Sequence, residues 1–133
     1  ALYGCMQCRE CRRGAYNLCA THGERALGMT ADGGIAEYFR APSDRLVPVP
    51  DGLDLRDACL VEPASVSWHA LRLADTGPGK RVAVVGGGAL GLLAVAGALR
   101  QGGEDVAIEA RHKHQIAAGE RLGARTKPEG LYE

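Results

Sequence analysis

The sequence lacks an excess of charge of either sign. Its 16 Lys and Arg balance 16 Asp and Glu, for a formal net charge of +0 over 133 residues. With a pI of about 7.1, no global field draws the chain onto nucleic acid or an anionic membrane. The local basic run Arg9, Arg12, Arg13 includes Glu10 and reads as a solvated face. Long hydrophobic runs are also missing. The longest, Ala89 to Leu99, is interrupted by Gly91 and Gly97 and falls well short of a membrane span. No basic segment followed by an apolar one stands at the start, and no internal repeat or low-complexity tract occurs. These absences lead to the expectation of a globular, cytoplasmic protein in a reducing compartment.

Cysteine is scarce too, with 5 in the chain. Four of them nevertheless crowd into CMQCRECRRGAYNLC as Cys5, Cys8, Cys11 and Cys19, a C-x2-C-x2-C-x7-C spacing. In a reducing setting clustered thiols serve metal more often than disulfides. Each C-x2-C pair lets two thiolates reach one ion from a tight turn, and the fourth cysteine, returning from a short loop, closes a tetrahedron. An iron–sulfur run of bacterial type continues x3-C-P after the third cysteine, which this chain does not. The pattern predicts a structural zinc site, saturated by four sulfurs, that holds together a lobe too small for its own core. Gly14 supplies a positive φ for the return. Cys59, in DACLVEP, reads as a small buried apolar residue.

Beyond the lobe, GGIAEYFRAPSDRLVPVP offers two β-type runs, Ile35 to Arg40 and Leu46 to Val49, with Pro42, Pro48 and Pro50 confining them to edges or bends of a small irregular barrel. Asp54 is placed to cap a helix through DLRDACLV, with Asp57 in its first turn. A second helix is expected over Ala64 to Ala74, followed by the loop TGPGK.

The most regular segment comes next. Arg81 to Val85 is a β-branched run suited to a strand buried on both faces. It leads into Gly86-x-Gly88-x-x-Gly91, then helical character over Leu92 to Arg100, a strand over Asp105 to Glu109, and a helix over Gln115 to Leu122 ending at Gly123. The βαβα order predicts a parallel sheet with a right-handed crossover. A G-x-G-x-x-G that follows a strand and opens a helix is the context expected of a dinucleotide loop. Gly86 permits the tight turn, Gly88 a close approach to pyrophosphate, and Gly91 close helix–strand packing, while Gly87, Ala89 and Leu90 complete the loop and helix start.

The choice between NAD and NADP turns on the end of the second strand. Glu109 stands near the position of an acidic residue that would bind a ribose 2′-hydroxyl. A shift by one puts Ala110 there, with Arg111, His112 and His114 forming a basic surround that suits a 2′-phosphate, and the reading leans to NADP. The pair His112 and His114 alone does not make a metal site.

A four-cysteine lobe, then GGIAEYFRAP, VEPASVSWHAL and VAVVGGGALGLL, in that order, resembles the zinc-containing medium-chain alcohol dehydrogenase family, on its sorbitol and threonine dehydrogenase side. The resemblance implies an α/β chain in two parts: residues 1–64, part of a GroES-like β-rich catalytic domain with the four-cysteine zinc lobe, and residues 65–133, the first βαβα portion of a Rossmann domain. It further implies hydride transfer between an alcohol carbon and NAD(P), assisted by a second zinc that acts as a Lewis acid. Glu62, in Val61-Glu62-Pro63, matches the glutamate that the polyol branch places at that zinc. By itself it reads as a helix-start carboxylate. His69 reads as a helix histidine packed near the domain junction.

The departures carry expectations of their own. Family members have a cysteine ligand and a Gly-His-Glu motif before the lobe, which this sequence does not contain, and they are much longer. The chain therefore reads as an internal fragment that turns over no alcohol alone, from a parent enzyme expected to be a homo-oligomer acting on a small-molecule alcohol. Two alternatives remain: a non-catalytic zinc- and nucleotide-binding module, and a zinc-ribbon-like adaptor, which leaves the glycine pattern unexplained.

Overall fold

The computed structural model describes residues 4–126. The chain divides into two compact units, Ala1–Pro48 and Val49–Glu133, each with its own internal packing. Residues 1–3 and 127–133, the outer ends of the two parts read from the sequence, lie outside the described residues.

In the first unit the cysteine stretch folds into a short helix α1 (Arg9–Arg12) and a 3₁₀ turn over Tyr16–Leu18. Cys8 caps α1, its sulfur accepting from the Cys11 N–H at 3.5 Å. The helix stops because Gly14, at φ +83°, turns the chain back, as expected. Further 3₁₀ turns follow at His22–Arg25 and Ser43–Arg45.

The expected strands Ile35 to Arg40 and Leu46 to Val49 are not formed. A strand needs a ladder partner, and the one β-pairing among the described residues of this unit is an isolated bridge, Leu27 with Ala31. Pro42, Pro48 and Pro50 remove ladder donors beside both runs. Ile35, Tyr38 and Val47 are exposed accordingly.

The second unit opens with α2 (Leu55–Ala58), where the Asp54 carboxylate accepts from the Arg56 N–H at 2.8 Å, the cap that the sequence predicts. Helix α3 (Val61–Leu73) begins earlier than Ala64, because Pro63 falls in the first turn, where its missing N–H has no intrahelical partner to lose. Then come β1 (Arg81–Val85), α4 (Ala89–Arg100), β2 (Asp105–Glu109), α5 (Lys113–Arg121) and β3 (Arg125–Thr126). The strands form a parallel sheet in the order β1-β2-β3, with Val85 opposite Glu109 and Ile108 opposite Thr126.

The core lies between this sheet and its helices, around Leu71, Val95, Ala98, Val106, Ile108 and Ala124. Close approach depends on small residues. A Cβ at Gly97 would stand 2.8 Å from Leu71 Cδ1 of α3, and one at Gly119 would stand 2.7 Å from Ile108 Cγ2 of β2. The central strand β2 is buried over Val106 to Ile108, whereas β1 is not buried on both faces as expected. It forms an edge of the sheet, and Val85 keeps 71% of its surface exposed. No helix among the described residues is long and apolar enough to cross a membrane.

Candidate functional site

Two sites emerge, one in each unit. In the first, the sulfurs of Cys5, Cys8, Cys11 and Cys19 all lie within 4.8 Å of one another. A tetrahedral zinc with bonds of about 2.3 Å would hold its sulfurs roughly 3.8 Å apart, so the four side chains already face one ion-sized volume. The backbone turns its donors toward them. The Cys5 N–H donates to Cys19 Sγ at 3.3 Å, the Cys8 N–H to Cys5 Sγ at 3.3 Å, and the Cys11 N–H to Cys8 Sγ at 3.5 Å. These bonds favour thiolate over thiol, as a metal ligand requires.

The thiols differ in consequence. Cys19 is lowered from the usual 9.0 to about 6, first by the Thr21 hydroxyl 3.5 Å from its sulfur and then by the Cys5 and Thr21 backbone N–H groups. Cys5 is lowered by the N–H groups of Gln7 and Cys8, whereas burial pushes Cys11 up to about 11. A cation among the four sulfurs would offset that last cost. Gly4 makes room for the site, since a Cβ there would lie 2.4 Å from Cys11 Sγ. Thr21 escaped the sequence reading, because a lone threonine two residues past a cysteine carries no spacing signal.

In the second unit, Gly86 turns at φ +105° and its N–H donates to the Glu109 carbonyl at 2.8 Å, tying the loop to the end of β2. Gly88 starts α4, and the Leu92 N–H is bonded to the Gly88 carbonyl at 2.9 Å. The N–H groups of Ala89, Leu90 and Gly91 come before that first intrahelical bond, and no side chain caps them. A Cβ at Gly88 would meet nothing within 4 Å, so the backbone there is open to a ligand. At Gly91 it would lie 1.8 Å from the Gly86 carbonyl oxygen, and at Gly87 2.7 Å from Ala110 Cβ. An open glycine at a helix start, with free N–H groups and the positive end of the helix dipole, has the form of a pyrophosphate cradle.

The remaining candidates are placed as follows. Glu109 ends β2 and is exposed, and Arg111 is exposed in the following bend. His112 and His114 stack with ring centroids 5.5 Å apart, and the Gln115 side chain accepts from the His112 N–H at 3.4 Å, which starts α5 ahead of the expected Gln115. Glu62 is exposed in the first turn of α3, where its carbonyl accepts from the Ser65 hydroxyl at 2.7 Å. It is not part of a cluster of three or more metal-capable side chains: among the described residues, the four cysteines are the one such group. His69 is exposed rather than packed, because it falls on the outer face of α3. Cys59 is likewise exposed at the end of α2, its thiol donating to the Arg56 carbonyl at 2.8 Å, and it is not the buried residue expected.

Comparison with known proteins covers most of the chain. Residues 1–51 match the alcohol dehydrogenase GroES-like domain. L-Galactonate-5-dehydrogenase of Escherichia coli is 39% identical over 113 residues, 83% of this chain and 32% of the relative. Sorbitol dehydrogenase of Bacillus subtilis is 32% identical over 120 residues, 90% of this chain and 34% of the relative. The chain belongs to the zinc-type alcohol dehydrogenase family.

Among solved structures of the family, a Sinorhizobium meliloti protein described as a zinc-binding dehydrogenase, bound to NADP, superposes with a TM-score of 0.85 at 33% identity. That match covers 94% of this chain and 36% of the other. The chain thus spans about a third of the length of the family relatives it matches.

Proposed function

We propose that the chain is the structural-zinc and dinucleotide-binding portion of a zinc-dependent oxidoreductase that transfers a hydride between a secondary alcohol of a polyol or sugar acid and NAD(P). The observation that carries this reading is the open glycine start of α4 tied to the end of β2, in a chain that also gathers four sulfurs. The names of the sugar-acid and sorbitol dehydrogenases it resembles support the substrate class.

Cys5, Cys8, Cys11 and Cys19 would hold the structural zinc, which contributes folding energy to a unit with few core residues. The loop Gly86, Gly87, Gly88, Ala89, Leu90 and Gly91 would receive the pyrophosphate on backbone N–H groups, with Glu109 facing the adenosine ribose and Arg111 beside it. When bound, the dinucleotide supplies the hydride chemistry at its nicotinamide. Glu62 would stand beside a catalytic zinc whose other ligands come from elsewhere in the polypeptide, so residues 1–133 alone are expected to be inactive. The protein is read as cytoplasmic and homo-oligomeric, without a nucleic-acid or membrane partner.

One observation favours a second reading. The carboxylate of Glu62 joins no group of three or more metal-capable side chains among the described residues, as in a zinc- and nucleotide-binding module without chemistry. Turnover separates the two. Protein expressed from the complete reading frame, loaded with zinc and given sorbitol or an aldonate with NAD⁺ or NADP⁺, should form reduced nicotinamide. Nucleotide binding without turnover across polyols and simple alcohols would establish the module instead.

A further inference from the structure

Ser67 is the buried polar side chain of the described residues, with 5% of its surface exposed. A small apolar residue would fill the same space between helices without a hydroxyl to satisfy, so the hydroxyl is accounted for by its partner. That partner lies 23 residues away: Ser67 Oγ donates to the Leu90 carbonyl at 2.9 Å. Leu90 sits in the first turn of α4, between Ala89 and Gly91 of the glycine loop.

Helix α3 grips α4 in two places of different character. The first is packing, where Trp68 and Leu71 close on Gly97 in the body of α4. Such packing holds the helices together yet tolerates small rotations and slides. The second is directional, the Ser67 bond to one carbonyl in the first turn. The first turn is also locked to the loop, because at Gly91 there is no room even for a Cβ against the Gly86 carbonyl oxygen. A displacement of Leu90 therefore moves Gly86 and the N–H groups around it.

We propose that Ser67 is a positioning residue for the dinucleotide: its hydroxyl fixes the start of α4, and through it the Gly86 turn, in the geometry that receives the pyrophosphate. This deepens the dinucleotide reading above and rests on it. It also gives α3 two tasks, since the same helix carries Glu62 in its first turn.

The test compares Ser67→Ala with Leu71→Ala, which weakens the packing contact alone. Melting temperature, affinity for NAD⁺ and NADP⁺, and hydrogen exchange at the Gly86 and Leu92 amides are measured for each. One neutral hydrogen bond predicts about fivefold weaker dinucleotide binding in Ser67→Ala, with several-fold faster exchange at those two amides. Leu71→Ala should lower the melting temperature and leave dinucleotide affinity within about twofold. If Ser67→Ala does not fold, Ser67→Cys, close in shape and a weak donor, takes its place. Unchanged affinity in a Ser67 variant that melts earlier would make the residue structural only, and unchanged exchange at Gly86 and Leu92 overturns the proposal. If the unaltered protein binds neither dinucleotide, the dinucleotide reading fails while the exchange comparison still decides the role of Ser67.

Discussion

The Gly86 N–H donates to the Glu109 carbonyl at 2.8 Å, so the turn after β1 is bonded to the last residue of β2. On the proposed reading, the two ends of a dinucleotide's adenosine portion, pyrophosphate and ribose, would thereby face groups held in fixed register by the sheet, in which Val85 is paired with Glu109.

That relation makes coenzyme choice divisible between neighbours. Glu109→Ala should weaken NAD⁺ binding, by about tenfold for a bidentate ribose contact, and improve tolerance of NADP⁺. Arg111→Ala should weaken NADP⁺ by a similar factor and leave NAD⁺ nearly unchanged. Titration of each variant with both dinucleotides checks this, and equal losses for both coenzymes would reject the assignment.

Gly88 and Gly91 should fail differently when changed to alanine. At Gly91 the added Cβ meets a backbone oxygen at 1.8 Å that has nowhere to move, and a loss of about 2–4 kcal/mol in unfolding free energy is expected. At Gly88 the Cβ enters open space at φ −76°, so denaturation should change by under about 1 kcal/mol. Dinucleotide affinity should nevertheless drop by at least about tenfold, because the methyl occupies ligand space.

Removing metal should affect one unit. A chelator, or Cys19→Ser, is expected to abolish hydrogen-exchange protection in residues 4–48, where few side chains are buried, while Val106 to Ile108 stay protected by their own core. Equal loss of protection in both units would show that the lobe is not a local staple.

Acid sensitivity of the sheet should trace to Asp105. Arg125 donates to both its carboxylate oxygens, at 2.7 and 2.6 Å, and this pairing lowers the Asp105 pKa below its ordinary 3.8. A depressed carboxylate contributes stability that is present above about pH 4 and is lost as pH falls through the folded value. Asp105→Asn should therefore flatten the acid limb of the stability curve below pH 4, with a modest effect at neutral pH because the pair is partly solvated. An unchanged acid limb in that variant would place the sensitivity elsewhere.

Much of this was legible in the sequence because the signals were local. C-x2-C-x2-C-x7-C and G-x-G-x-x-G are fixed by chain geometry over a few residues, and the cap at Asp54 is a one-residue effect. The β1 and β2 boundaries follow from β-branched runs ended by glycine or by a basic loop. What was misread depended on distant partners. Ile35 to Arg40 has strand composition but no strand beside it, β1 has the composition of a buried strand but lies at an edge, and Cys59 and His69 follow residue-type tendencies that their helix faces override. Ser67 was missed because its partner is 23 residues away and nothing in SVSWHAL announces it.

The central claim is that one chain carries a four-sulfur metal site and a dinucleotide site. A native mass spectrum of the protein after incubation with zinc and NADP⁺ or NAD⁺ tests it most directly. The account predicts one zinc and one dinucleotide per chain, with the zinc lost in Cys19→Ser and the dinucleotide lost in Gly88→Val. A spectrum without zinc, or with dinucleotide retained by Gly88→Val at the unaltered level, would contradict it.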